Sequence, residues 1–264
     1  MIHNIDPVLI SIGPLEIRYY GLIYMLGFLA GYYFLNYAIK KQNIRELDKR
    51  DIDDFIFYTV ISVVIGARLF EVLFYEPGYY FSNPLKIFAV WEGGLSFHGG
   101  LFGVFISTLI FSRKKKISLK IWGDFLSIPG AFALFLGRIA NFINGELYGV
   151  PVDNQVNPPW YAVKFMKTDP QQLWRIPTQI LESFKNLLIL AVLLFLWKRY
   201  QSLKKGVLMW TLVFGYGLLR FIIEFWKDVY RDQLFGLSTG QLLSIPMMII
   251  GIWGYYLSFR QKNI

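Results

Sequence analysis

No cysteine occurs anywhere in the 264 residues. That removes disulfides, thiolate metal sites and any covalent thioester route through the protein's own sulfur. It also suits a chain with faces on the oxidising side of a membrane. Charge is scarce: 17% of residues are charged, against about a quarter in an ordinary soluble domain. Histidine occurs twice, at His3 and His98. No basic n-region precedes the first apolar run and no small-residue cleavage site follows it, so no cleaved signal peptide is expected. Low-complexity tracts and internal repeats are missing too.

What remains is apolar. Hydrophobic residues make up 55% of the chain and aromatic residues 19%, with a mean hydropathy of +0.42. Apolar runs of about 20 residues recur along it, the length a helix needs to cross a bilayer. The expected fold is an all-α polytopic membrane helix bundle with about seven transmembrane helices and a small outer-side cap. The spans fall at residues 19–39, 55–75, 95–111, 121–143, 180–197, 207–226 and 241–259. One membrane domain over 1–264 is expected, with 144–179 as the cap insert. That insert holds Pro151, Pro158, Pro159, Pro170 and Pro177 and is rich in Trp and Tyr, as befits a segment at headgroup level. Pro7, Gly13 and Pro14 argue against a regular helix in residues 1–18.

A net charge of +9 would suit nucleic acid, but its placement reads as topology. Sixteen of the 27 basic residues fall in alternate connections: Lys40, Lys41, Arg45, Lys49 and Arg50; Arg113 to Lys116 and Lys120; Lys198, Arg199, Lys204 and Lys205; Arg260 and Lys262. Seven lie on the other side: Arg18, Lys86, Lys164, Lys167, Arg175, Lys227 and Arg231. By the positive-inside rule the N-terminus faces out and the C-terminus lies in the cytoplasm. No nucleic-acid partner is expected.

Polar groups inside spans locate the chemistry, because an ionisable side chain there costs roughly 3 kcal/mol on insertion scales. The span at 121–143 is almost wholly apolar until it delivers Arg138, Asn141 and Asn144 on one helical face. Gly145 then permits a break that turns Glu146 back toward them. Snorkelling to the interface accounts for the arginine but for neither the asparagines nor the glutamate. The span at 207–226 places Tyr216, Arg220 and Glu224 on one stripe. Arg220 and Glu224 can neutralise each other, or Arg220 can join Arg138 as a clamp for an oxyanion such as a lipid phosphate. Arg68 and Glu71, three apart, can pair on one helix face. His98, beside Gly99 and Gly100, can bind a headgroup, act as a base or bridge two helices that the glycines let approach. Tyr20 by itself reads as an interfacial anchor, and Asp124, near the start of its span, as structural.

Taken together, these residues resemble the prolipoprotein diacylglyceryl transferase family. The thirteen-residue stretch from Gly137 to Gly149 (GRIANFINGELYG) looks like its signature. Tyr20-Gly21-Leu22, Gly66-Ala67-Arg68, Trp91 to Gly100 (WEGGLSFHGG) and Tyr216…Arg220…Glu224 fit further motifs, so the likeness covers nearly the whole chain. It implies that diacylglyceryl passes from phosphatidylglycerol to the lipobox cysteine of exported preprolipoprotein signal peptides. Glycerol 1-phosphate leaves, with no metal or organic cofactor, in the bacterial cytoplasmic (inner) membrane. Membrane lipids are then partners as well. The implied catalytic residues are His98, Arg138, Arg220 and Tyr20. Asn141, Asn144, Glu146, Gly149, Tyr216, Glu224 and Arg68 are expected to bind substrate, Gly149 by leaving room for the headgroup or peptide.

The chain also departs from the pattern. Where family members often read Arg-His-Pro-Ser-Gln-Leu-Tyr-Glu, residues 175–182 read RIPTQILE, so Ile176 and Leu181 replace a histidine and a tyrosine. A second acid/base histidine is unavailable. The other class of membrane protein that buries charge, a secondary transporter of an anionic solute, should show an internal repeat and paired broken helices. Neither is visible.

Overall fold

Long apolar stretches leave the backbone one way to satisfy its hydrogen bonds away from water, and most of this chain is accordingly helix. A computed structural model describes residues 1–13, 15–42, 44, 47–229 and 236–260. Pro14, Arg45, Arg231 and Lys262, which entered the expectations above, lie outside the described residues. The order is β1 (Ile2–His3), β2 (Val8–Ile12), β3 (Leu15–Arg18), α1 (Tyr19–Lys41), α2 (Lys49–Phe70), α3 (Pro77–Ser82), α4 (Phe97–Lys115), α5 (Leu119–Asn144), β4 (Val163–Phe165), β5 (Trp174–Arg175), α6 (Thr178–Trp197), α7 (Val207–Ile223) and α8 (Thr239–Arg260). A π-turn at Glu71–Tyr75 extends α2.

Six of these helices among the described residues are long and apolar enough to cross a bilayer: α1, α2 with its π-turn, α5, α6, α7 and α8. The protein is a multi-span membrane protein. The expected span at 95–111 is present as α4, which stands outside those six. His98 and three glycines dilute its start, and Arg113, Lys114 and Lys115 its end.

The chain forms two compact units, Tyr32–Trp122 and the remainder. In the first, Asp48 and Asp51 make a reciprocal capping box that starts α2, and Lys115 pairs with Asp51. Helices α2 and α4 cross on glycine. A Cβ at Gly99 would collide with the carbonyl of Gly66, and one at Gly103 with that of Ser62. Where lipid gives no hydrophobic drive, such close backbone approach holds helices together. Thr59 Oγ1 donates to Ser107 Oγ across the pair (3.1 Å). Phe55, Phe111 and Trp122 fill the far end, with ring centroids 4.8–5.0 Å apart.

In the second unit, α6 packs on α7 and α7 on α8. Asp124 of α5 is fully buried and caps α7: it accepts from the amides of Gly206 (2.6 Å) and Met209 (2.9 Å) and from the Tyr200 hydroxyl (3.2 Å). A carboxylate on those amides satisfies orphan donors and complements the helix dipole. Among the described residues before Tyr19, none is helical. β2 and β3 form an antiparallel hairpin, while β1 pairs parallel with β4, which pairs antiparallel with β5. The 144–179 insert is therefore completed by the N-terminal strand.

Candidate active site

Helix α5 ends in the geometry that Gly145 allows. With Gly145 left-handed (φ +68°), its amide reaches the Phe142 carbonyl and the Glu146 amide the Asn141 carbonyl. These are the two bonds of a Schellman closure. The chain reverses, and Glu146 Oε1 accepts from Asn141 Nδ2 (2.7 Å) and Asn144 Nδ2 (3.3 Å). Arg138 Nη1 lies 3.4 Å from Asn141 Oδ1. The asparagines thus aim the carboxylate. Tyr20, hydrogen-bonded to the Tyr24 hydroxyl (3.1 Å), is near enough to feel the charges of Glu146 and Arg138.

Arg138 continues into an ion network. Its Nε is 3.6 Å from Glu182 Oε2, which also takes the Lys185 ammonium at 2.5 Å, while Glu182 Oε1 takes Lys227 at 2.7 Å. Lys227 bridges to Glu224 Oε2 (3.2 Å), and Glu224 faces Arg220 (3.9 Å). Arg220 Nη1 bonds the Tyr216 hydroxyl (3.3 Å), and Lys185 sits 3.9 Å over the Tyr216 ring. Tyr216 feels the charges of Lys185, Arg220 and Arg138 together. Among the described residues, and counting Glu146, four cations meet three carboxylates, an excess of one positive charge in a mostly buried site. That excess suits an anionic group. Among the described residues, no group of three His, Cys, Asp or Glu side chains is placed to hold a metal ion.

Arg68 and His98 belong to the other unit. The Arg68–Glu71 ion pair is not formed, because the Arg68 guanidinium turns to other acceptors. Arg68 is buried and spends its guanidinium on the Tyr80 hydroxyl (2.6 Å) and the carbonyls of Gly94 (3.1 Å) and Ala89. It fastens the Trp91–Gly100 segment to α2. It also lines an open cavity of about 410 Å³ with Glu71, Glu76, Tyr79, Tyr80 and Lys86. His98 stands exposed in the first turn of α4, where Ser96 is the N-cap, and its Nδ1 lies 2.9 Å from the Tyr75 hydroxyl.

At Gly149 the room expected for a headgroup or peptide is taken by protein. A Cβ there would strike the carbonyls of Trp226 and Ile176 and the Thr178 methyl. Three segments cross at this point, since Gly149 donates to Ile176 O (2.8 Å) and Val150 to Trp226 O (3.0 Å). Buried Arg175 locks the crossing. It reaches Asp169 through Nε (2.6 Å) and Nη2 (3.0 Å) and Asp228 through Nη1 (2.6 Å), and it stacks on Tyr148 (4.7 Å).

This insert is expected to be acid-sensitive. Burial alone would raise the Asp169 carboxyl, but Arg175 and the amides of Leu173 and Gln171 outweigh it and hold the group below its usual 3.8. Burial lowers His3, packed between Phe142 and Phe165, below its usual 6.5. Both groups bind fewer protons folded than unfolded, so each contributes stability that falls with pH. His3's share is complete above about 6.5 and Asp169's above about 4; each is lost as pH drops through the folded value. Limited proteolysis of the insert should accelerate in two steps between neutral pH and pH ~3, and His3→Phe should remove the upper one.

Sequence reasoning missed Glu182, Lys185 and Lys227 as site residues. The signal was there: Glu182 and Lys185 stand three apart in an apolar span, and Lys227 stands three beyond Glu224. The fold and the site together define a multi-span membrane protein with a buried cluster of cations and carboxylates on α5, α6 and the end of α7. The prolipoprotein diacylglyceryl transferase profile matches residues 7–257. The phosphatidylglycerol–prolipoprotein diacylglyceryl transferase of Bordetella parapertussis is 43% identical over 98% of both chains. The enzymes of that name from Geobacter sulfurreducens (40% identical, over 98% of this chain and 97% of its own) and Nitrosomonas europaea (41%, over 97% and 90%) are similar at the same level. The chain belongs to the prolipoprotein diacylglyceryl transferase family. An anion transporter finds no support among these relatives.

Proposed function

We propose that this protein transfers the diacylglyceryl group of phosphatidylglycerol to the lipobox cysteine of exported preprolipoproteins. The acceptor sulfur bonds to the glycerol carbon that bears the phosphate ester. That carbon–oxygen bond breaks, glycerol 1-phosphate departs with the electron pair, and a thioether remains. Charge accumulates on phosphate oxygens as the bond breaks, so fixed cations in a poorly hydrated site favour that state over the ground state.

The observation that carries this reading is the network that joins Arg138 and Arg220 through Glu182, Lys227 and Glu224. In it the two guanidiniums clamp the lipid phosphate, Glu224 and Tyr216 orient Arg220, and Tyr20 orients the lipid. Glu146, aimed by Asn141 and Asn144, accepts the hydroxyls of the glycerol headgroup. Gly149 serves by letting the signature segment close against its neighbours, and Arg68 by holding the segment that precedes His98. The test is reconstitution with phosphatidylglycerol and a lipobox peptide. Mass spectrometry should find the diacylglyceryl adduct and free glycerol 1-phosphate in equal amounts; their absence rejects the reading.

To His98 we assign, on its chemistry, removal of the thiol proton, with Tyr75 fixing the ring. His98→Ala should lower kcat/KM by about 10²-fold. Raising the pH toward the ordinary thiol value of about 8.5 should restore part of it, since solution then supplies thiolate. A deficit that ignores pH makes His98 a positioning residue.

The chain is placed in the bacterial cytoplasmic membrane with its N-terminus and the 144–179 insert outside and its C-terminus in the cytoplasm, as the distribution of basic residues supports. The lack of cysteine makes this simple to check. A maleimide that cannot cross membranes should label Asn154→Cys in intact cells and spare Ser202→Cys; the reverse pattern inverts the topology.

A further inference from the structure

We propose that Lys185 is a positioning residue that occupies Glu182 and so keeps the Arg138 guanidinium available to the lipid phosphate. The inference rests on the anion clamp described above and adds to it what stops the clamp from neutralising itself. A carboxylate beside a guanidinium normally captures it in a two-pronged pair. Glu182 does not: Lys185 holds one oxygen at 2.5 Å and Lys227 the other at 2.7 Å, leaving Arg138 at 3.6 Å. At Glu224 a lysine is again nearer than the guanidinium, with Lys227 at 3.2 Å and Arg220 at 3.9 Å, both from Oε2.

Accessibility follows the same division. The Lys185, Lys227, Glu182 and Glu224 side chains are 2%, 9%, 1% and 3% exposed, whereas Arg138 and Arg220 are 14% and 24% exposed. The lysines are buried counter-ions, and the guanidiniums are the cations left to meet a ligand. Lys185 cannot readily swing away, because the Tyr216 ring lies under its ammonium at 3.9 Å. Without that ammonium, Glu182 Oε2 is open to Arg138 Nε, which lies 3.6 Å away and needs to move by less than about an ångström to form a charge-assisted hydrogen bond.

The experiment compares wild type, Lys185→Met, Lys185→Arg and the double variant Glu182→Gln/Lys185→Met in two measurements. One is kcat/KM for phosphatidylglycerol; the other is glycerol 1-phosphate binding, read from the shift it causes in thermal unfolding. Lys185→Met is expected to weaken both by at least about tenfold, the worth of one charge-assisted hydrogen bond. Lys185→Arg, which keeps a cation on Glu182, should stay near wild type. The double variant should regain most of the loss, because the carboxylate that captures Arg138 is gone.

The proposal is overturned if Lys185→Met matches wild type, or if removing Glu182 fails to restore it, since the ammonium would then act on the ligand or the fold directly. Failure of the functional reading looks different. Wild type would form no adduct, and glycerol 1-phosphate binding would still report on the clamp: binding that depends on Lys185 upholds the inference, and no binding by wild type ends it.

Discussion

Arg138→Ala is expected to abolish diacylglyceryl transfer, a fall of about 10³-fold, while the protein still unfolds at the wild-type temperature. The network explains why the two effects separate. Arg138 is the most distant of the three cations on Glu182, so its removal leaves that carboxylate paired with Lys185 and Lys227. The loss is therefore of transition-state stabilisation, not of a structural bond. Arg138→Lys should recover only part of the rate, because an ammonium cannot present two parallel donors to a phosphate. Adduct formation within about tenfold of wild type in Arg138→Ala would remove the guanidinium clamp. Loss of folding in that variant would make Arg138 a structural residue instead.

Glu182→Gln should produce the largest loss of stability of any single change in the site. The carboxylate is 1% exposed and faces Arg138, Lys185 and Lys227; the amide carries no charge to offset them. Leaving buried charges without their partner costs about 3–5 kcal/mol. In a chain of this size that lowers the midpoint of thermal unfolding by roughly 10 °C. A wild-type midpoint at neutral pH would show that the lysines do not depend on Glu182. Replacing glutamate and ammonium together should cost less than Glu182→Gln alone, since deleting both members of a buried pair spares the unpaired charge.

Much of this protein was legible in its sequence, and for identifiable reasons. Spans are readable because a bilayer demands about 20 apolar residues of any helix that crosses it. Only α4 strayed, with glycines at its start and cations at its end. The Arg138, Asn141, Asn144 and Glu146 set was readable because polar groups in such a run cost too much to be incidental, and Gly145 announced the reversal. Roles within the set were less visible. The asparagines turn their amides to Glu146, and Arg68 bonds to its own chain, because a buried side chain serves whichever acceptor the fold puts nearest. Lys227 was harder to read as a site residue: its spacing from Glu224 is visible in sequence, but only the turn after α7 brings it between Glu182 and Glu224.

The sequence by itself determined that the chain is a multi-span helical membrane protein, which family it resembles, and which span carries the polar block. The spans and the polar block are consequences of composition and helical period, the resemblance rests on the motif residues, and all three hold whatever the helices pack against. The tertiary structure alone decided which carboxylate neutralises which cation. Three of the five ion pairs lie three or four positions apart, within reach of the helical period. The two that join the elements, Arg138–Glu182 and Lys227–Glu182, lie more than about 40 positions apart, and no periodicity along one helix encodes them. That decision left two lysines buried on the glutamates and two arginines facing outward from them.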